Sequence, residues 1–489
     1  SEDATKRSRL LNSDIDASLS LNLTSKIKST TSVGSNYQDA NVNTLIASTQ
    51  DLTPLVETVQ GSDEFDAIYE YLDKRRTLGF YAQETFNFND QLFLTGSIRA
   101  DGSSTFGADE RWQTFPKLST SYLISEHPFW QNMFGSRVNR FKLRGAYGFS
   151  GGQPISSFGR LANYISTTYD GKTALINSTV RGNENLKPER MREFEIGAEF
   201  EVLDGRLGVE LSYYDVEVSD LIISQKVAAS TGFSTQLENI GVLTNHGIEL
   251  LLRSLNINKP SFKWTTTLTF STNNPLIEEL YGENAIQTLG WSQAVLTEGK
   301  PPSVFYTKII ESYDANGLPV RSADNHFVGD PNPDYFWSLT NEFELGSNFA
   351  IRSQFDAVWG FEILDWNTRS QYVALWPTHP DYEKEYTGEL PRGYWGKFAG
   401  ALGEFVNDAS FIKCRELSLI YTLDSDFVKN FGLSNIQFSL IGRNLFTITD
   451  YTGFDPEVNG AGQDPIYRGF DMGAVPIPRS INFGLKLNL

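Results

Sequence analysis

Within this chain of 489 residues, the side chains with most chemical potential cluster in one stretch, WPTHPDYEKEYTGELPRGYWGKF, residues Trp376–Phe398. Trp376, Tyr382, Tyr386, Tyr394 and Trp395 offer flat faces that stack on sugar or peptide groups, and Arg392 could hold a carboxylate. The competing reading is that these rings pack the segment against itself or against a capping partner. The stretch sits in a connection well beyond the ~12–15 residues usual for a structureless loop, which favours a functional role.

Other reactive groups are dispersed. His127, His246, His326 and His379 lack the spacing of metal ligands or of a triad, so surface or packing roles are expected. The segment DGSSTFG, Asp101–Gly107, has glycine and serine but not the Gly-Lys-Ser/Thr of a phosphate loop, and reads as a loop initiator. Glu193, Glu195, Glu199 and Glu201 follow one face of a strand-like run and read as a solvated face rather than paired catalytic acids. A single cysteine, Cys414, excludes an intrachain disulfide and a Cys-rich zinc site. No catalytic residue, metal site or cofactor is expected, and nothing points to an enzyme.

The elements that must position the aromatic stretch are strands. Alternation with period two dominates. Leu92, Leu94, Gly96, Ile98 and Ala100 alternate with Phe93, Thr95, Ser97 and Arg99; in EFEIGAEFEV, Phe194, Ile196, Ala198, Phe200 and Val202 share one face. Roughly 16 strands of about ten residues are expected. The formal charge of −19 argues against a nucleic-acid surface, which would show clustered Lys and Arg. No run approaches the ~18 apolar residues of a membrane-spanning helix, which leaves membrane barrels open because their hydrophobicity is hidden in alternation.

Connections fall into two kinds. Phe88–Gln91, Val202–Arg206 and Leu345–Asn348 are tight, whereas Asp101–Lys117, Ser150–Arg192, Thr272–Phe336, Gly360–Ser410 and Thr447–Arg479 are long. An antiparallel meander with short turns on one side and long loops on the other has this pattern. A soluble sandwich, or a β-rich surface-binding protein such as an adhesin or lectin, shares the alternation. Long strands, polar faces rich in Gly, Ser and Thr (KWTTTLTFS) and aromatics near strand ends (Tyr213, Tyr214, Trp337, Trp359) favour the all-β transmembrane barrel.

Several blocks, in succession, carry a family resemblance. They are LFLTGSIRADGSSTFGADERWQTFPKLSTSYLISEHPFWQN (Leu92–Asn132), NENLKPERMREFEIGAEFEVLDGRLGVELSYYD (Asn183–Asp215), NIGVLTNHGIELLL (Asn239–Leu252), VGDPNPDYFWSLTNEFEL (Val328–Leu345), FVNDASFIKCRELSLIYTL (Phe405–Leu423), LIGRNLFTITDYTGFDPEV (Leu440–Val458) and PIPRSINFGLKLNL (Pro476–Leu489). From about Arg76 onward the chain resembles the SusC/RagA family of TonB-linked outer-membrane transporters. The resemblance implies part of a roughly 22-stranded antiparallel barrel of the plugged-lumen class. Residues 1–75 would be early barrel strands and a loop, residues 76–489 the C-terminal barrel strands with long extracellular loops, and the plug domain would lie outside this chain. It also implies import of oligosaccharides or peptides across the outer membrane of a Gram-negative bacterium. The implied partners are a SusD-like surface lipoprotein as lid, the TonB system acting through the plug, the remaining N-terminal part of the transporter, and outer-membrane lipid.

Two departures stand out. Family members typically end in an aromatic, whereas this sequence ends in Leu489 with Phe483 the nearest aromatic. The acidic loop common in the family is reduced to DANG, Asp314–Gly317, too few oxygen donors for a calcium site. Phe483, Leu487 and Leu489 fall on the apolar face of the final alternating run and are the expected barrel-closure residues. Deleting Phe483–Leu489 is therefore expected to abolish heat-modifiable migration of the barrel on a gel; a truncated chain that still migrates as folded would exclude the closing role.

Overall fold

The computed structural model describes residues 2–49, 65–135, 137–152, 157–161, 163–280, 286–289, 293–373, 379–460, 462 and 468–489. Seventeen strands belong to one sheet, among them the fifteen long ones named next. These are β1 (Glu2–Asn22), β2 (Ile27–Thr49), β3 (Phe65–Phe88), β4 (Leu92–Ser103), β5 (Trp112–Leu123), β6 (Val138–Gly152), β7 (Glu189–Val202) and β8 (Leu207–Ser219). They continue with β9 (Val242–Lys259), β10 (Phe262–Thr272), β11 (Tyr335–Leu345), β12 (Phe349–Trp359), β13 (Phe411–Leu423), β14 (Asn435–Arg443) and β15 (Ser480–Asn488). The chain divides into two compact units, with β6, β7 and β8 each contributing a part to both.

In the first unit β1 to β5 form a continuous antiparallel meander. Its tight turn between β3 and β4 has both central residues, Asn89 (φ 53°) and Asp90 (φ 57°), in the left-handed region. That is the primed geometry whose twist matches the flanking strands, and Asn and Asp tolerate it best after glycine. The strands β1, β2 and β3 run for 21, 23 and 24 residues, about twice the expected length. Alternating hydrophobics fade in their distal halves, where SNYQDANVNT continues β2 with polar residues, yet the backbone ladder persists from Ile27↔Phe88 to Ser48↔Ala67. Ladder hydrogen bonds do not require apolar side chains, so hydropathy alone understates such strands.

Two faces result. On one, Ile15 (70% exposed), Ile98 (53%) and Leu118 (63%) present apolar side chains outward. On the other, register aligns Asp16, Gly34, Tyr81, Arg99 and Phe115 in one row across five strands. The Tyr81 hydroxyl reaches over Gly34 to donate to Asp16 Oδ1 at 2.7 Å. A Cβ at residue 34 would stand 2.2 Å from that oxygen, so only glycine leaves room for the bond. Glu84 breaks the apolar face; its carboxylate accepts from Ser29 Oγ (2.6 Å) and Thr31 Oγ1 (2.5 Å).

In the second unit β9 to β15 form another antiparallel meander, with bulges at Leu255/Ile257 and Gln354/Phe355. The turn before β8 carries three consecutive left-handed residues, Leu203, Asp204 and Gly205. A string of opposite charges crosses the polar face of β11 to β14: Glu342–Arg352 (3.6 Å), Arg352–Glu416 (3.5 Å) and Glu416–Arg443 (3.6 Å). Each such partly exposed pair is worth about 0–1 kcal/mol, so the string fixes side-chain order more than stability. On the apolar face Phe483 lies opposite Leu440 and Leu487 opposite Ile436, and all the apolar side chains of β15 are exposed.

The long connections of this unit are folded. Short strands Glu362–Asp365, Val406–Asp408 and Phe470–Asp471 form their own three-stranded sheet. Around it Phe305, Leu364, Tyr372, Trp395, Phe405 and Phe470 build a buried cluster. The last long loop is pinned to β13 by ions: buried Lys413 donates to Asp455 Oδ1 (2.5 Å) and Glu457 Oε2 (2.8 Å), and Arg415 bridges Asp356 and Glu457. Removing one member of a buried pair strands the other, at a cost on the order of 3–5 kcal/mol. Lys413→Met should therefore expose the 450–479 segment to protease while the wall stays assembled; unchanged cleavage would show that the pin is dispensable.

Leu211 is exposed on the apolar face, while Glu210 lines a polar cavity with Glu199, Arg253 and Lys263. An Arg facing lipid near mid-bilayer costs about 2–4 kcal/mol. Leu211→Arg should lower the yield of assembled barrel and Glu210→Arg should not; equal yields would contradict the assignment of faces.

Candidate functional site

The aromatic stretch sits on a compact loop scaffold. His379 begins it, its Nδ1 accepting from the Asp381 amide at 3.2 Å, and a short turn leads into the helix Glu383–Thr387. That helix ends at Gly388 (φ 79°), and Gly393 (φ 88°) precedes the next helix, Tyr394–Phe398. Glycine takes this left-handed backbone at little cost, so the chain reverses twice within six residues' span. Glu385 ties the two helices together: its carboxylate accepts from the amides of Gly393 (2.8 Å) and Trp395 (2.7 Å). A carboxylate on the open amides of a helix start is the favourable end of the dipole.

The candidate residues divide by exposure. Trp395 is buried, at 7% exposure; its ring stacks on Tyr372 with centroids 4.4 Å apart, and its Nε1 donates to the Asp381 carbonyl at 3.0 Å. Burial pushes the Tyr372 phenol up to about 12. Tyr394 is half-buried, stacked on Tyr313 and Phe398. Tyr382 and Tyr386 adjoin, ring centroids 5.7 Å apart, with Tyr386 82% exposed. Arg392 is exposed. Trp376 lies outside the described residues. The scaffold thus has an inner layer, Tyr372 and Trp395, with Tyr382 and Tyr394 partly buried against it, and an outer one, Tyr386 and Arg392. The outer layer can stack on a ring or apolar group and pair with a carboxylate.

Phe483, Leu487 and Leu489 stand apart on the exposed edge of the β15 run. Among the described residues no group of His, Cys, Asp and Glu could hold a metal ion. Asp314 Oδ1 is occupied by the amides of Asn316 and Leu318, which makes it the pivot of a turn. Sequence reasoning missed the inner layer's partners, because Phe305 and Phe470 come from other connections and Tyr372 and Phe405 flank the stretch from outside it. It also missed the Lys413–Asp455 pin, although its two halves sit within family-like blocks.

Residues 2–304, well over half of the chain, match the family of TonB dependent receptor-like β-barrels. TonB-dependent receptor P3 of Formosa agariphila is 26% identical over 469 residues, covering 85% of this chain and 46% of the relative. TonB-dependent receptor SusC of Bacteroides thetaiotaomicron is 25% identical over 455 residues, covering 86% and 44%. The chain spans about half the length of the curated relatives it matches. The fold is also that of the RagAB peptide transporter, with a TM-score of 0.82 at 19% identity over 99% of this chain and 56% of that one. A meander with one exposed apolar face and one ion-paired polar face is the wall that such a barrel requires, and the chain belongs to the TonB-dependent-receptor-like β-barrel family.

Proposed function

We propose that this chain supplies the wall and outer loops of a TonB-dependent importer in the outer membrane of a Gram-negative bacterium. Its cargo would be oligosaccharides or peptides, delivered with a SusD-like lid lipoprotein and drawn in when TonB acts on a plug domain. The observation that carries the reading is the pairing of faces in each meander. Leu, Ile and aromatic side chains stand exposed on one side, and hydroxyls and ion pairs cover the other. Exposed apolar surface on this scale is unstable in water and matched to lipid. Family membership and the likeness to SusC support the transport role and the lid.

Within this reading the loop Trp376–Phe398 meets lid or cargo through its outer layer, and Trp395 holds that layer in place. Purification tests the setting first: the assembled protein should require detergent, and a monodisperse detergent-free preparation would point instead to a soluble β-rich binding protein. Replacing Tyr386 and Arg392 together by Ala should weaken lid copurification or ligand retention about tenfold without altering protease resistance of the loop. Trp395→Ala should do both, since truncating a buried Trp costs about 3–5 kcal/mol. If the Tyr386/Arg392 variant retains lid and ligand like the parent, the outer layer has no contact role.

A further inference from the structure

The polar face of the first unit contains a cavity of about 440 Å³. Arg99, Arg111 and Lys117 line it with Phe106, Phe115 and Phe149. Register explains the convergence: Arg99 lies opposite Phe115 and Ser97 opposite Lys117 on adjacent strands. Glycines make the space. A Cβ at Gly79 would stand 2.3 Å from Arg99 Nη2, and one at Gly151 would stand 2.6 Å from the Phe115 ring.

The three cations differ in how they are balanced. Arg99 Nε is held by both oxygens of Asp101, at 2.9 and 2.7 Å, so its charge is answered within the wall. Among the described residues Arg111 and Lys117 form no ion pair, and the buried Arg111 Nε has no hydrogen-bond partner. A buried guanidinium nitrogen without an acceptor is costly unless something else supplies one. A further cation, Arg190, lies 4.5 Å above the Phe149 ring. Acidic residues outnumber basic ones 60 to 41 in this chain, so two unanswered cations in one cavity run against its overall balance.

Resting on the importer reading above, we propose that this cavity is a cargo subsite for a carboxylate-bearing ligand. Arg111 and Lys117 bind the anionic group, and Phe106, Phe115 and Phe149 receive the ring or apolar part attached to it. Arg99 is a positioning residue, locked by Asp101. A guanidinium presents a donor fork matched to a carboxylate, and the exposed Lys117 adds a second positive charge at the mouth of the cavity. The carboxylate could belong to a uronic-acid sugar or to an acidic peptide.

Calorimetry on the assembled, detergent-solubilised protein separates these sources, using trigalacturonate, triglutamate and the neutral maltotriose as probes. One of the carboxylate probes should bind at least about tenfold more tightly than maltotriose, and added salt should weaken it. Arg111→Gln and Lys117→Gln should each reduce that affinity about tenfold. Arg352→Gln, in the other unit's charge string, should leave it unchanged. Heat-modifiable migration verifies that each variant is assembled. Tighter trigalacturonate identifies an acidic glycan as the source, and tighter triglutamate an acidic peptide. The proposal is overturned if neither carboxylate probe exceeds maltotriose, or if both cavity variants bind like the parent. Lid-dependent uptake of a neutral cargo would leave the importer reading standing while this subsite fell.

Discussion

Every other feature of this protein depends on the pairing of backbone amides and carbonyls across adjacent strands. In hydrocarbon an unpaired peptide group costs several kcal/mol, so a chain that crosses lipid as strands must keep its ladders unbroken. The registers meet that demand over long runs, from Glu2↔Ser48 to Asn22↔Lys28 in one hairpin and from Asn435↔Asn488 to Arg443↔Ser480 in another. Once the ladders are fixed, side chains must alternate between two environments. Over the apolar part of the wall charge is then gathered on one face, and Glu84, on the other, is answered by Ser29 and Thr31.

The loops obey a different rule. Freed from lipid, they bury apolar groups in the ordinary way, and the cluster around Phe305, Leu364 and Phe470 is a small core of its own. What joins the loops to the wall is both apolar and electrostatic: Phe411 of β13 packs with Phe361, Ile363 and Tyr451 in a second buried cluster. Lys413 and Arg415, on a strand of the meander, hold Asp455 and Glu457, so loop and wall share a network in which each charge has a partner. Such a junction is geometrically specific because each ion needs its counter-ion in one place. Wall and loop are thereby held in one arrangement rather than joined by loose connections.

Much of the wall was legible in the sequence, and the reasons are local. Asn89-Asp90 and Asp204-Gly205 announce tight hairpins because few residues accept their backbone, and alternation announces the strands between. The length of β1 to β3 was not legible, since the polar runs EDATKRSR of β1, SNYQDANVNT of β2 and DKRRT of β3 interrupt the alternation. The loop residues were legible as a group and not as individuals. Tyr386 and Trp395 are both aromatic and nine positions apart, yet one is exposed and the other buried, because Glu385 and the distant Tyr372 fix the second ring. Likewise Arg111 and Lys117 look unremarkable in sequence; the register of β4 and β5 and the glycines beside Arg99 and Phe115 create the cavity they line.

The loop core also sets an order in time. Several ladders of the wall join strands separated by a tight turn, as β1 to β2, β3 to β4 and β11 to β12, so those hairpins close a short loop and form with little entropic delay. The strand Glu362–Asp365, by contrast, pairs with Phe470–Asp471, and Asn367 bonds Asp471 across 104 positions. Contacts so distant in sequence form late, after the hairpins between them have brought their ends together. During synthesis those hairpins can thus form first while the aromatic loop core stays open, and that core closes only when Phe470–Asp471 has arrived.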